Sequence, residues 1–205
     1  MTRGVFLSLD GLDGTGKSTQ VRLLAAWLRE RGKTVTTCID PGGTPIGDRI
    51  RQLIFHADLN PTIECEALLF MASRAQLVHD VVEPALASGG HVICDRFLLA
   101  NVVYQGHAGG LDAEALWGLG RFATGGLEPD LTFVLDLAPA AALARRARPA
   151  DRIESRDTLY HERVRAGFLS EAKRRPDRIR VIDAGGSVDD VHAAIREECS
   201  RVFDK

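Results

Sequence analysis

The chain has 205 residues, 45% of them hydrophobic, which is enough for one well-buried core and short for two, so a single domain over residues 1–205 is expected. A formal net charge of −2 and a pI near 6.3 argue against a polyanion such as DNA as the main partner and leave small charged ligands open. No apolar run reaches bilayer-spanning length and Met1-Thr2-Arg3-Gly4 leads into a strand rather than a secretion signal, giving a cytoplasmic expectation; Cys38, Cys65, Cys94 and Cys199 show no C-x-x-C pair and no histidine at metal-ligand spacing, so reduced, packed thiols are expected.

Val5 to Leu9 is a short apolar strand, and Gly11-Leu12-Asp13-Gly14-Thr15-Gly16-Lys17-Ser18 follows it directly. This is G-x-x-x-x-G-K-[ST], a phosphate-binding loop. Glycines at Gly11, Gly14 and Gly16 let backbone N–H groups turn inward, and those groups with the following helix N-terminus cradle a polyphosphate. Lys17 would reach the β- and γ-phosphates of a nucleotide, and the Ser18 hydroxyl would coordinate a bridging Mg²⁺. The context agrees, since Val21, Leu24, Ala25 and Leu28 recur at helical spacing until Gly32.

Thr34 to Ile39 reads as a second strand, β-branched and bounded by Gly32 and Pro41. Asp40 to Pro45 makes a loop at its carboxyl end, where ligands bind in α/β sheets, and Ile46, Ile50, Leu53 and Ile54 mark a short helix with Arg49 and Arg51 between the apolar positions. A long helix is predicted to start after Asn60-Pro61 and to run to about Val82, ending near Pro84. Phe70 and Arg74 stand four apart on it, so a ring and a guanidinium share one face and could stack on a flat base and bond its edge. Taken alone, Phe70 reads as core and Arg74 as solvated; the wider pattern reverses that.

His91 to Arg96 is a third strand ending in an acid and a base. Asp95 would sit near the Mg²⁺ shell and Arg96 would clamp a second phosphate, the alternative being a structural ion pair. Phe97 to Gly110 is too glycine-rich at its end to be all helix, and Leu111 to Phe122 restarts a helical pattern with Asp112 as cap. Leu131 to Leu137 is the clearest buried strand, followed by an alanine-rich helix over Ala140 to Ala147. From Arg145 to Arg156, five of twelve residues are arginine, with Pro149 among them. A lid over residues 145–157, closing on phosphates, accounts for such crowding; a solvated face partly neutralised by Asp151, Glu154 and Asp157 is the other reading. Tyr160 to Ala172, Ile179 to Asp183 and Val188 to Val202 complete a helix, a fifth strand and a closing helix. Strands alternating with helices imply a parallel three-layer α/β/α sandwich.

In order and approximate spacing, the phosphate loop, Pro41-Gly42-Gly43-Thr44, Phe70 with Arg74, Asp95-Arg96-Phe97, Tyr104-Gln105-Gly106, Asp151-Arg152-Ile153-Glu154 and His161-Glu162-Arg163-Val164-Arg165 resemble the bacterial thymidylate kinases over nearly the whole chain. The resemblance implies a P-loop nucleoside monophosphate kinase fold with a five-stranded parallel sheet, ATP and dTMP as substrates, Mg²⁺, and a homodimer for which the Asn60 to Val82 helix has apolar positions to spare. It further implies that Phe70 stacks on thymine, Arg74 donates to its O4, and Arg96 holds the 5′-phosphate of the acceptor. Asp13 would accept from the 3′-hydroxyl or join the metal shell, Asn101 and Gln105 would approach the base, and Tyr104 would pack where a 2′-hydroxyl would intrude. With Gly14 and Thr15 in the loop, the chain resembles members that keep their basic residues in the lid, which gives Arg152 a catalytic role alongside Lys17, Arg96 and Asp13, and Arg145 a place on the adenine. Thr19 belongs to the same nucleotide-binding set, and Ser18 and Asp95 to the metal. Asp40, Ile39, Ala100 and Gly109 depart from the family pattern. A deoxynucleoside kinase, with Asp95 or Asp40 as base, is the nearest alternative; a non-catalytic nucleotide switch is the more distant one, since a guanine-specific switch usually carries N-K-x-D, which is missing here, and the arginine-dense lid favours transfer over switching.

Overall fold

In the computed structural model, the structure describes residues 3–56, 59–145, 152, 153 and 155–203. Among them, strands β1 (Phe6–Gly11), β2 (Val35–Ile39), β3 (His91–Asp95), β4 (Leu131–Asp136) and β5 (Ile179–Asp183) form one parallel sheet in the order β2-β3-β1-β4-β5. The three inner strands are buried along almost their whole length and mostly apolar, while β2 and β5 at the edges alternate buried and open positions. This is the pattern of a sheet covered on both faces. The cover comes from α1 (Lys17–Arg29) and α9 (Val188–Phe203), which pack together over one side, and from α4 (Glu83–Ala87), α5 (Leu98–Asn101) and α8 (Thr158–Arg174), which contact β3, β1 and β4–β5. Helices α2 (Pro45–Phe55), α3 (Ile63–Leu77), α6 (Ala113–Ala123) and α7 (Pro139–Ala144) complete the chain. No helix of the described residues is long and apolar enough to cross a membrane, and all four cysteines are free.

Several boundaries differ from the sequence expectation for identifiable reasons. β1 extends two residues past Leu9 because Asp10 and Gly11 stay in register with Val134 and Leu135. The long helix begins at Ile63, not after Asn60-Pro61, because the Thr62 side chain accepts from Cys65 N–H at 3.3 Å. Nor does it end at Val82: a π-helical turn spans Val78–Val82, Glu83 N–H bonds the Val78 carbonyl, and α4 then carries Pro84 in its first turn, where a missing N–H is harmless. A second π-helical stretch, Val102–His107, continues α5, and the helix stops there before Gly109 and Gly110, as the presence of those glycines predicts. Asp112 caps α6 as expected, accepting from Glu114 and Ala115 N–H groups. Asp157 caps α8, which therefore starts at Thr158 and runs to Arg174. The alanine-rich helix is described to Ala144. Ala147 and, of the lid, Arg146, Arg148, Pro149, Asp151 and Glu154 lie outside the described residues.

One buried charge ties the helical layer together. Glu171 on α8 is fully buried and accepts from His107 at 2.8 Å, Trp117 Nε1 at 3.1 Å and Arg174 at 3.0 Å, so the 102–107 stretch and α6 are both anchored to α8. A buried carboxylate is tolerated when its lone pairs are filled in this way.

Candidate active site

The carboxyl ends of β1, β2 and β3 open onto one cavity of about 550 Å³, within the range of small-ligand pockets. On its β1 side, Gly11, Gly14 and Gly16 adopt φ of 129°, 88° and 92°. A Cβ at Gly14 would stand 2.0 Å from the Ala142 carbonyl oxygen, so only glycine lets the loop pass α7. Lys17 opens α1, and its Nζ donates to the Leu12 carbonyl at 2.7 Å and lies 3.6 Å from Asp13 Oδ1. Burial, and then the nearby Arg96, push its pKa below the usual lysine value. The first turn of α1 has no acidic residue and no side-chain cap, leaving its N–H groups to an anion. Thr15 is buried and donates to Leu12 O at 2.8 Å, and Ser18 Oγ donates to Asp95 Oδ2 at 2.6 Å.

Across the cavity, Arg96 holds a left-handed backbone (φ 68°), rare for a residue with a side chain. That turn carries its guanidinium back over the strand ends: Nη2 donates to Asp13 Oδ1 at 2.9 Å and to Tyr104 Oη at 3.2 Å. Its Nη1 is buried with no hydrogen-bond partner among the described residues, as a donor awaiting an acceptor would be. Burial pushes the Tyr104 phenol above its usual range, so it stays protonated. Beneath them Asp10 is fully buried, neither of its oxygens has a hydrogen-bond partner among the described residues, and desolvation raises its pKa to about 7 against the pull of Arg96 and Lys17.

The far end of the cavity joins a ring to a polar edge. Half-buried Phe70 lines it, and Arg74, only 1% exposed, donates from Nε to Asp40 Oδ2 at 2.6 Å and from Nη1 to Asn101 Oδ1 at 3.2 Å. Burial raises the Asp40 pKa and the paired guanidinium opposes it. Asn101 Nδ2 donates to Gln105 Oε1 at 2.7 Å.

The cavity thus brings together Asp13, Gly14, Gly16, Lys17, Ser18, Thr19, Phe70, Arg74, Asp95, Arg96, Asn101, Tyr104, Gln105 and Arg145. Arg145 is fixed by bonds to the Ala184 and Gly185 carbonyls at 2.7 and 3.3 Å. Gly11 and Thr15 support the loop from outside the cavity wall. Arg152 stands apart: its guanidinium donates to the Ile54 carbonyl at 3.1 and 3.0 Å and to Glu66, and only its neighbour Ile153 reaches the cavity. Sequence reasoning left Arg51 without a role, yet it lines the cavity, donating to Pro41 O at 2.7 Å with its guanidinium over the Phe55 ring. It also passed over Asp10 and Glu66; an acid at a strand end and an acid four residues before Phe70 were the available signals.

Two anion-directed regions, one built on the glycine loop and one on Arg96, therefore face each other across a single cavity whose remaining wall suits a planar base. A site of that form, on this sheet order, defines a P-loop nucleoside monophosphate kinase. The thymidylate kinase family model matches residues 9–195. A curated thymidylate kinase from Symbiobacterium thermophilum is 47% identical over 97% of this chain and 94% of its own length, and one from Deinococcus radiodurans is 44% identical over 95% and 96%. The crystal structure of the Ehrlichia chaffeensis thymidylate kinase superposes with a TM-score of 0.79 at 30% identity, covering 96% of this chain and 99% of the other. The chain belongs to the thymidylate kinase family and is an ATP-dependent nucleoside monophosphate kinase.

Proposed function

We propose that the chain transfers the γ-phosphoryl group of ATP to the 5′-phosphate of dTMP, giving dTDP and ADP, within one domain whose 145–157 segment is a lid. The observation that carries this reading is the Arg96–Asp13 bond at 2.9 Å, which joins the acceptor side to the phosphate loop. The acceptor oxygen belongs to a phosphate whose second pKa is near 6, so it is largely ionised at neutral pH and needs no general base. The work left to the protein is positioning and charge neutralisation. The loop N–H groups and Lys17 hold the β- and γ-phosphates, with Thr19 and Arg145 on the nucleotide side. Arg96, through its unpaired Nη1, and Arg51 take the acceptor phosphate. Arg152 serves the transferring phosphoryl group, which requires it to leave Glu66 and Ile54.

The residues present fit Mg²⁺. Ser18 and Asp95 offer oxygens 2.6 Å apart beside the loop, and among the described residues no group of three or more His, Cys, Asp or Glu gathers around one point. An ion carried mostly by phosphates and water, with few protein oxygens, matches the habits of Mg²⁺. Bound there, it would neutralise charge on the β- and γ-phosphates.

Phe70 stacks on the base, Arg74 meets the O4 acceptor, Asn101 and Gln105 lie at its edge, and Tyr104 and Asp13 face the sugar. A guanidinium is a donor only, so the 4-amino group of cytosine presents it with another donor; such a mismatch discriminates by about 10⁴. A second copy of the chain would cover the exposed apolar residues of the packed pair α3 and α6, Leu68 (55% exposed) and Phe122 (86% exposed). The test is ADP release with Mg·ATP on dTMP, dUMP, dCMP, dGMP, AMP and thymidine. Strong turnover of dTMP with little of dCMP and none of thymidine is expected. Turnover of thymidine but not dTMP would overturn the role of Arg96.

A further inference from the structure

Helix α3 carries Glu66 one turn before Phe70 and two turns before Arg74, so all three share a face. Glu66 is fully buried, and four hydrogen bonds occupy its two oxygens. Oε1 accepts from Gln105 Nε2 at 2.7 Å and from Arg156 Nη2 at 3.2 Å; Oε2 accepts from the same Arg156 nitrogen at 3.0 Å and from Arg152. From Gln105 the line continues without a break through Asn101 (2.7 Å) to Arg74 (3.2 Å). Arg156 is further held by the Tyr160 hydroxyl at 2.5 Å, which itself donates to the Tyr104 carbonyl at 2.8 Å. The guanidinium assigned to the base and the two arginines of the segment between β4 and α8 are thus joined through a single carboxylate.

We propose that Glu66 is a positioning residue through which occupancy of the base pocket sets where Arg152 and Arg156 stand, making acceptor and ATP binding cooperative. The inference rests on the roles given above to Arg74 and Arg152. A carboxylate offers about four acceptor sites, and all are filled here, so any reorientation of Gln105 by a bound base must be answered by the guanidiniums. Among the described residues one carboxylate, Glu66, is shared by two guanidiniums, and an incoming polyphosphate competes with it for them. Coupling of this kind is a ratio of affinities and can be measured as one.

The experiment is calorimetric binding of the Mg²⁺ complex of β,γ-imido-ATP to the purified full chain, with and without saturating dTMP. In the native protein dTMP should tighten the analogue by about fivefold or more. In Glu66→Gln that factor should fall to about one, with kcat reduced and dTMP affinity measured alone little changed. An unchanged factor in Glu66→Gln, or no factor in the native protein, would overturn the proposal; so would weakened dTMP binding with the coupling factor intact at saturating dTMP, the mark of a purely structural role. Should Glu66→Gln fail to fold, Gln105→Met severs the relay and leaves in place both arginines that donate to Glu66, and coupling that survives it overturns the proposal equally. Arg152→Ala separates the two levels: full kcat there removes the role on which the inference stands, whereas collapsed kcat beside intact coupling in Glu66→Gln removes the inference alone.

Discussion

Arg74 and Asp40 form an ion pair, Nε to Oδ2 at 2.6 Å, in which neither side chain is more than 1% exposed. The pair fixes the guanidinium proposed to read the base to the loop after β2. Asp40→Asn keeps the shape and removes the charge, leaving a buried cation uncompensated; breaking such a pair costs about 3–5 kcal/mol. Urea denaturation should show a loss of that size, and the dTMP over dCMP ratio of kcat/KM should shrink because Arg74 is no longer held in one orientation. Full stability with full discrimination would mean that Asn101 and Met71 suffice to orient Arg74.

Arg96 combines a strained backbone with two side-chain bonds, and the two can be separated. Arg96→Ala and Arg96→Gly both delete the guanidinium and should raise the dTMP KM by at least about tenfold, the equivalent of one lost charge-assisted bond of about 1.5–3 kcal/mol. Only the glycine variant adopts φ 68° freely, so it should unfold at a higher temperature than the alanine variant, by the equivalent of about 1 kcal/mol. Equal melting temperatures would show that the backbone relaxes once the side chain is gone.

Asp10 gives the fold a pH dependence of unusual sign. Its pKa is about 7 in the folded chain against 3.8 for the free side chain, so the folded state binds the proton more tightly. Stability from this group is greatest below the unfolded value, falls as pH rises between about 4 and 7, and is level above that. The span corresponds to about 4 kcal/mol. Asp10→Asn should therefore gain on the native protein with rising pH, the difference in unfolding free energy growing up to pH 7 and then flattening. A difference that is constant from pH 4 to 8 would place the Asp10 pKa outside that window.

Arg152→Ala should lower kcat by about 10³ or more while raising the dTMP KM only slightly, because a supplied arginine acts on the transferring group. Steady-state kinetics at saturating ATP makes the comparison. The reverse pattern, an intact kcat with a raised KM, would confine Arg152 to its bonds with Ile54 and Glu66.

Local signals carried much of this architecture. The glycine loop is written in contiguous residues, and β4 declares itself by a run, Leu131 to Leu135, that only Thr132 interrupts, so strand order aside, the sheet was readable. Thr62 outcompeted Asn60 as a cap, a choice that depends on which hydroxyl meets a free N–H. Glu66 could not be read because an acid on a helix is ordinarily solvated, and only the convergence of Gln105, Arg152 and Arg156 makes its burial tolerable. Arg51 was invisible for the same reason in reverse, since its place on the cavity comes from the packing of α2 on α3. The resting place of Arg152 is decided by partners 86 and 98 residues away in sequence.

The π-helical stretch Val102–His107 carries Tyr104 and Gln105 toward the cavity, and its far end is clamped to α8 through His107 and Glu171. A π turn accommodates one residue more than an α turn, so the segment behaves as an α-helix with a single-residue insertion. Removing one residue there would restore an ordinary, stable helix, yet turn its two ends against each other by about 100°. With His107 clamped, Asn101 would swing away from Arg74 and the cavity; with Asn101 kept, the clamp would break. Length variation in this family should therefore avoid these six positions even though nothing in their helical propensity forbids it.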